Sequence, residues 1–189
     1  MWKPARVLAI LLQHYFFIIW PEFMNLRKRL SLMLAVFAVS VLIDQLSKAI
    51  AKATLSMDVV REYFGGSLKL VLTHNDGAFL SLGEALPTAL RHTLLLIGVG
   101  IFLLGLVIYT ALNKRADTGT IIALSMVFSG GLSNLLDRII YGGYVVDFLN
   151  FSLGSWHTGV FNVADIAIMA GAVMLFLVGF KGKSRSVLG

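Results

Sequence analysis

Four apolar stretches, at residues 30–51, 91–112, 120–137 and 162–180, set the plan of this chain. Each falls within the roughly 17–25 residues that an α-helix needs to cross a bilayer's hydrocarbon core. A helix satisfies its own backbone N–H and C=O groups, so runs of this length predict spanning helices. Two polar interruptions separate them, at about 52–90 and 138–161. In the first, Val59–Phe64 and Ser67–Leu72 flank Gly65-Gly66 and read as two strands around a glycine turn. Leu68, Leu70 and Leu72 alternate onto one face, available to a membrane surface or a bound peptide. Thr73-His74-Asn75-Asp76-Gly77-Ala78-Phe79 follows as a loop, its Asn-Asp-Gly suited to a tight turn and Asn75 suited to holding a substrate backbone. The second interruption carries Tyr141-Gly142-Gly143-Tyr144 and Trp156, aromatics that suit the headgroup level. The predicted fold is an all-α membrane protein of four transmembrane helices with a small extramembrane β-hairpin, or cradle.

Charge orients this plan. Arg27, Lys28 and Arg29 precede the first helix, Lys114 and Arg115 follow the second, and Lys181, Lys183 and Arg185 follow the fourth. Basic flanks mark the cytoplasmic side, so both termini are expected inside and both interruptions, hairpin included, outside in the periplasm. The net charge of +6 is largely used in these flanks, and no nucleic-acid partner is expected. Residues 1–23 fit less well. Val7–Trp20 is too short to span, follows Lys3 and Arg6 like a signal peptide, lacks a small-x-small cleavage site and is broken by Pro21-Glu22. A further span there would invert the topology. The stretch Met24-Asn25-Leu26-Arg27-Lys28-Arg29 looks like a start in its own right. Residues 1–23 are therefore read as an extension, and 24–189 as one polytopic domain.

Composition narrows the chemistry. The chain is 58% hydrophobic and 14% charged, against roughly 25% charged in soluble domains. It has no cysteine, which removes disulfides and thiolate nucleophiles. Its four histidines, His14, His74, His92 and His157, are scattered with no HExxH pair, so neither a metal nor a cofactor is expected.

What stands out is acid beside the spans, where an ionisable group costs a few kcal/mol and is a functional-site candidate by default. The topology brings Asp44, Asn134, Asp137, Arg138, Asp147, Asn162 and Asp165 to one depth near the outer leaflet. Asp44 and Lys48, four apart, suit either a local ion pair or direct contact with substrate. Asn134, Asp137 and Arg138 can share a helix face; Asn134 and Arg138 read as scaffold or substrate clamp, Asp137 as structural. Gly130 and Gly131 permit close helix packing. Asn162 can cap the fourth helix with Asp165 in its first turn, and for Asp165 alone that account suffices. It does not explain Asp147, an acid inside Val145-Val146-Asp147-Phe148-Leu149. If Asp147 and Asp165 meet, their like charges separate the two ionisations and one proton is shared. The ionised member can then take a proton from water while the protonated one polarises a carbonyl. That is aspartic peptide hydrolysis, which needs neither cysteine nor metal.

Asp44-Gln45-x-x-Lys48, Asn75-x-Gly77-Ala78, Asn134-x-x-Asp137-Arg138, Val145-Val146-Asp147-Phe148 and Phe161-Asn162-x-Ala164-Asp165 occur in that order. In this the chain resembles lipoprotein signal peptidase, the type II signal peptidase of bacteria, over about residues 24–180. The resemblance implies Asp147 and Asp165 as the catalytic pair, with Asp44, Lys48, Asn75, Gly77, Asn134, Arg138 and Asn162 binding substrate or supporting them. It also implies a substrate, a prolipoprotein cut just before a diacylglyceryl-modified cysteine, in the cytoplasmic (inner) membrane among its lipids, and a monomer. Three positions depart from the family pattern: Phe79 follows Ala78 directly where a second Ala is usual, Ser133 replaces a common Gly, and Ile166 stands where a Ser normally follows the last Asp.

Three other readings compete. A serine protease would use Ser47 or Ser133 with Lys48, but Ser47 and Lys48 are adjacent and point about 100° apart on a helix. A small proton-coupled transporter would relay protons through its acids, but these cluster at one depth and no internal repeat is visible. An inactive lipoprotein-binding relative would keep the motifs and lack cleavage.

Overall fold

A computed structural model of the protein describes residues 24–57, 59–77, 87–114 and 116–187, with side chains described as far as Val178 in the last segment. The extension 1–23, Ala78, Phe79, Arg115 and the side chains of Lys181, Lys183 and Arg185 lie outside the described residues.

Helix α1, Leu26–Thr54, is capped by Asn25, whose side chain accepts the Lys28 N–H at 2.9 Å. The basic cluster expected to flank the span therefore forms its first turn. Arg29 is buried and donates to the Thr110 carbonyl. That carbonyl belongs to the last turn of α2, Thr88–Leu112, where a cation suits the unpaired carbonyls. A π-helical turn over Leu94–Gly98 interrupts α2. Helix α3, Thr118–Ile140, starts at the Asp117 cap, and α4 runs Val163–Val187. Helices α1, α2 and α3 are long and apolar enough to cross a membrane, and Val163–Val178 of α4 is a shorter apolar segment. In α3 half of the most apolar stretch is buried, against 6% in α1 and 11% in α2, so α3 is the post around which the others pack.

Glycine decides how close α4 comes to α3. A Cβ on Gly130 would lie 2.4 Å from the Ala164 carbonyl oxygen, and one on Gly171 would lie 2.6 Å from that of Ala123. The two backbones touch where no side chain intervenes, the small-residue packing that lets helices associate in lipid. Gly130 lies one turn before Asn134 and Ala164 immediately precedes Asp165, so this contact also sets the first turn of α4 against the polar end of α3.

The polar interruptions hold more structure than a hairpin. Strands β1 (Arg61–Tyr63), β2 (Leu68–Asn75), β3 (Val145–Leu153) and β4 (Trp156–His157) form a four-stranded antiparallel sheet in the order β1-β2-β3-β4. The β1–β2 turn sits on Gly65 and Gly66 at φ +66° and +86°, where a Cβ is disfavoured. Thr73–Asn75, expected in a loop, ends β2 instead, with Thr73 opposite Asp147 and Asn75 opposite Val145. The second interruption supplies β3 and β4. Each half needs the other: a two-stranded hairpin is marginal in water, and additional strands on a hydrophobic face stabilise it. Leu70 and Leu72 pack on Ala51, Leu55 and Phe148, so two leucines of the alternating face rest on the protein itself rather than on a membrane or peptide. Tyr141 and Tyr144 also turn inward: they stack on each other, Tyr144 stacks on His74, and Lys52 lies over Tyr141. Trp156, by contrast, is 63% exposed.

Candidate active site

The C-terminal ends of α1 and α3 and the N-terminal end of α4 meet β2 and β3 in a polar cluster, and each member arrives there for a local reason. Asp147 is the third residue of β3, held in register by the Thr73 and Asn75 ends of β2. Asp165 lies in the first turn of α4, where Asn162 and Asp165 cap each other. The Asp165 N–H donates to Asn162 Oδ1 at 3.0 Å, and the Asn162 N–H to Asp165 Oδ2 at 3.1 Å. Asn162 then turns its amide to the other acid, donating from Nδ2 to Asp147 Oδ1 at 2.7 Å. One residue thus touches both carboxylates, although they stand eighteen positions apart on different elements.

Asn75 Nδ2 donates to Asp147 Oδ2 at 2.8 Å, and Asn134 Nδ2 donates to Asp165 Oδ1 at 2.9 Å. None of the three asparagines is free to turn its amide over. The oxygen of Asn75 takes the Gly77 N–H at 3.0 Å, that of Asn162 takes the Asp165 N–H, and that of Asn134 takes the Lys48 ammonium at 3.0 Å. All three are groups that can only donate, so every asparagine must present N–H to the acids. Asp147 is 1% exposed. Burial pushes its carboxyl from the ordinary 3.8 up to about 7, and the like charge of Asp165 adds to this. Amide hydrogen bonds from Asn75 and Asn162 and the Lys48 charge act the other way.

Beneath the two acids, Asp44 and Lys48 form the ion pair at 2.8 Å, and Lys48 also meets Asp137 at 2.9 Å. All three are at most 2% exposed. Asp137 accepts the Val146 N–H at 3.2 Å and the Gln45 amide at 2.9 Å. Arg138 bonds to two carbonyls, those of Asn134 at 3.3 Å and Gly77 at 3.0 Å, so it fastens the Asn75–Gly77 turn to α3. No ion pair of Arg138 with an acid of another segment occurs among the described residues.

Gln45 and Ser133 carry more of the network than their places in the motifs suggest. Ser133 donates to Asp44 Oδ2 at 2.7 Å and accepts from Gln45 at 3.0 Å, so it completes the network where a glycine would leave both partners short. The signal for Gln45 was its place among consecutive polar residues at the end of an apolar helix. Ser47 donates to the Asp44 carbonyl, and neither serine hydroxyl donates to Lys48. A serine–lysine nucleophile is not what this geometry builds. Among the described residues no group of His, Asp and Glu could hold a metal ion.

A family model described as signal peptidase (SPase) II matches residues 36–181. The chain belongs to the signal peptidase II family. The lipoprotein signal peptidase of Hydrogenovibrio crunogenus is 36% identical over 147 residues, which is 77% of this chain and 83% of that protein. Those of Burkholderia cenocepacia and Bifidobacterium longum subsp. infantis are 34% and 33% identical, covering 75% and 86% of this chain and 83% and 85% of their own lengths. Two solved structures, bacterial membrane enzymes determined by the in meso method at 2.3 Å and 1.9 Å, share the fold. Their TM-scores are 0.72 and 0.69 at 24% identity, covering 81% and 77% of this chain and 90% of each. Signal peptidase II enzymes are proteases, and the family match to bacterial relatives together with three helices long and apolar enough to cross a membrane makes this a bacterial membrane protein. The transporter and the inactive relative find no support in these likenesses.

Proposed function

We propose that Asp147 and Asp165 are the catalytic pair of a membrane aspartic endopeptidase that removes the signal peptide from diacylglyceryl-modified prolipoproteins, cutting before the lipidated cysteine. The observation that carries this reading is the shared grip of Asn162 on two carboxylates, one buried and one half-buried, in a chain of the signal peptidase II family. Asp147 holds the pair's proton near neutral pH, as a carboxyl raised to about 7 can. In the forward step, Asp165 takes a proton from water as its oxygen attacks the scissile carbonyl carbon, and Asp147 gives its proton to the carbonyl oxygen. Collapse of the tetrahedral intermediate returns that proton to Asp147, while the leaving amine takes the proton Asp165 received. Burial strengthens both transfers, because the network already supplies the polar groups that water would otherwise reorganise to provide.

The basic flanks support termini in the cytoplasm and a site at the periplasmic boundary, where the sheet would meet a lipidated peptide held by the bilayer. Residues 24–189 then act as one peptidase domain, as a monomer, among membrane lipids. Arg138 and Asn75 fix the turn at Gly77, the polar edge against which a substrate backbone can lie. The test is cleavage of a diacylglyceryl prolipoprotein by the purified protein in lipid. Asp147→Asn and Asp165→Asn should each lower kcat about 10³-fold or more while substrate still binds, since each removes one proton-transfer group. Cleavage by either variant within tenfold of the parent would sink the assignment.

A further inference from the structure

Lys48 is far from ordinary for a lysine beside a membrane: it is 2% exposed and all three N–H bonds of its ammonium are committed. They go to Asp44 Oδ2 at 2.8 Å, Asp137 Oδ2 at 2.9 Å and Asn134 Oδ1 at 3.0 Å. What those partners hold next is the informative part. Asp44 Oδ1 accepts the backbone N–H of Ala164 at 2.8 Å, and Asp137 Oδ2 accepts that of Val146 at 3.2 Å. Ala164 immediately precedes Asp165, and Val146 immediately precedes Asp147. The third partner, Asn134, bonds Asp165 itself. One ammonium on α1 therefore ties together the two carboxylates that grip the chain just ahead of each acid, and polarises the amide that addresses one of them.

We infer that Lys48 is a positioning residue for peptide hydrolysis: through Asp44, Asp137 and Asn134 it sets the separation of Asp147 and Asp165 and the electrostatic difference between them. The inference rests on the peptidase reading above. A salt bridge needed only for folding has no reason to end both its branches on the residue before a reacting acid. Nor would it spend its third donor on the amide oxygen of Asn134, whose Nδ2 then points at Asp165. Among the described residues Asp147 receives neutral amides, from Asn75 and Asn162. Asp165 receives a lysine-polarised amide and a backbone N–H at a helix start. That asymmetry keeps the proton on Asp147. Other charges act on the pair as well: Arg138 on α3, besides Lys48 on α1 and the acid Asp44.

The test compares the parent, Lys48→Met and the charge-conserving double variant Lys48→Met/Asp44→Asn, in the same prolipoprotein assay with Asp147→Asn as the inactive control. Lys48→Met should lower kcat about 100-fold, the penalty for acids displaced by about an ångström, with KM within threefold. The alkaline limb of the pH–rate profile, set by loss of the Asp147 proton, should move to higher pH once the neighbouring positive charge is gone. If Lys48→Met does not fold, the double variant decides. Asp44→Asn keeps an oxygen that can accept the Ala164 N–H and, together with Lys48→Met, leaves the net charge of the cluster as in the parent, and the kcat of the folded double variant should stay at least thirtyfold down. Either folded variant working within threefold of the parent with an unmoved pH profile overturns the role of Lys48 and leaves the peptidase reading intact. A parent that cleaves nothing overturns both.

Discussion

The seam between α3 and α4 is held by shape along one half and by charge along the other. In the half that includes Ala123, Val127 and Gly171, helix backbones come into contact, and the hydroxyls of Ser125 and Ser129 return to carbonyls of their own helix, Ile121 and Met126. Every polar group there is satisfied locally, so the contact asks only for small size. In the half that includes Ser133, Asn134 and Asp137, almost no group is satisfied by its own helix; the partners come from α1, β3 and α4, and β2 joins through the bond of Asn75 to Asp147. A half built this way adds little net stability, because burying charges costs about as much as their pairing returns. What it gains is position: five elements are fixed relative to one another by directional bonds. The first half makes the fold and the second aims it, which is why the acids lie at the costly end.

The sharpest separation of the two comes from pH, since only the charged half titrates. The Asp147 carboxyl is raised above its unfolded value, so folding favours its protonated form. Its contribution is fully present below about pH 4 and is lost as pH rises through about 7. From the ordinary 3.8 to about 7 this amounts to about 4 kcal/mol. Unfolding in micelles should therefore show stability falling between pH 4 and 7, and Asp147→Asn should take away most of that slope. A slope of the same size in Asp147→Asn would place the titration elsewhere and break the comparison at its charged end.

The complementary change strikes the shape-held half. Gly171→Leu puts a side chain where even a Cβ would sit 2.6 Å from the Ala123 carbonyl oxygen and 2.8 Å from Val127. Backbone cannot yield as a flexible side chain can, so the helices must part, at a cost of about 3 kcal/mol. The loss should appear equally at pH 4 and pH 7 in the same unfolding experiment. Loss confined to one pH would mean that the seam is electrostatically coupled along its whole length and is not divided into two kinds.

The two halves also differ in how far sequence exposes them. Hydropathy found all four helices, because a bilayer demands the same length and composition of any span. The acids drew notice for the converse reason: charge beside a span is conspicuous. The sheet was half visible, because β1 and β2 form a local hairpin. β3 pairs with β2 across about seventy residues, and its apolar run with one acid looks like any buried connection until its partner is known. Helix spacing put Asn134 and Arg138 on one face but could not reveal that Arg138 would hold the Gly77 carbonyl rather than an acid. Ser133 departs from the motif, and only the position of Asp44 shows that its hydroxyl has a task. Local pattern reports what each residue costs; which distant group offsets that cost is written in the fold.

The smallest expected effect belongs to a residue that sits among the charged half without being part of it. Ile166 follows Asp165 and departs from the family pattern, where a serine is usual, so its place in the sequence alone suggests a catalytic defect. A one-residue step on a helix turns the side chain by about 100°. While Asp165 bonds Asn134 on α3, Ile166 is 46% exposed on the outer surface of α4, which in a spanning helix faces lipid. Ile166→Ser should therefore change kcat/KM less than threefold and leave the pH–rate profile unmoved. A single hydroxyl facing lipid at the helix end can return to a carbonyl of its own turn, so the cost to stability should stay near 1 kcal/mol. A tenfold gain or loss in kcat would show that the directional network extends around α4 to its exposed side, and the division of the seam into a part that folds and a part that aims would have to be redrawn there.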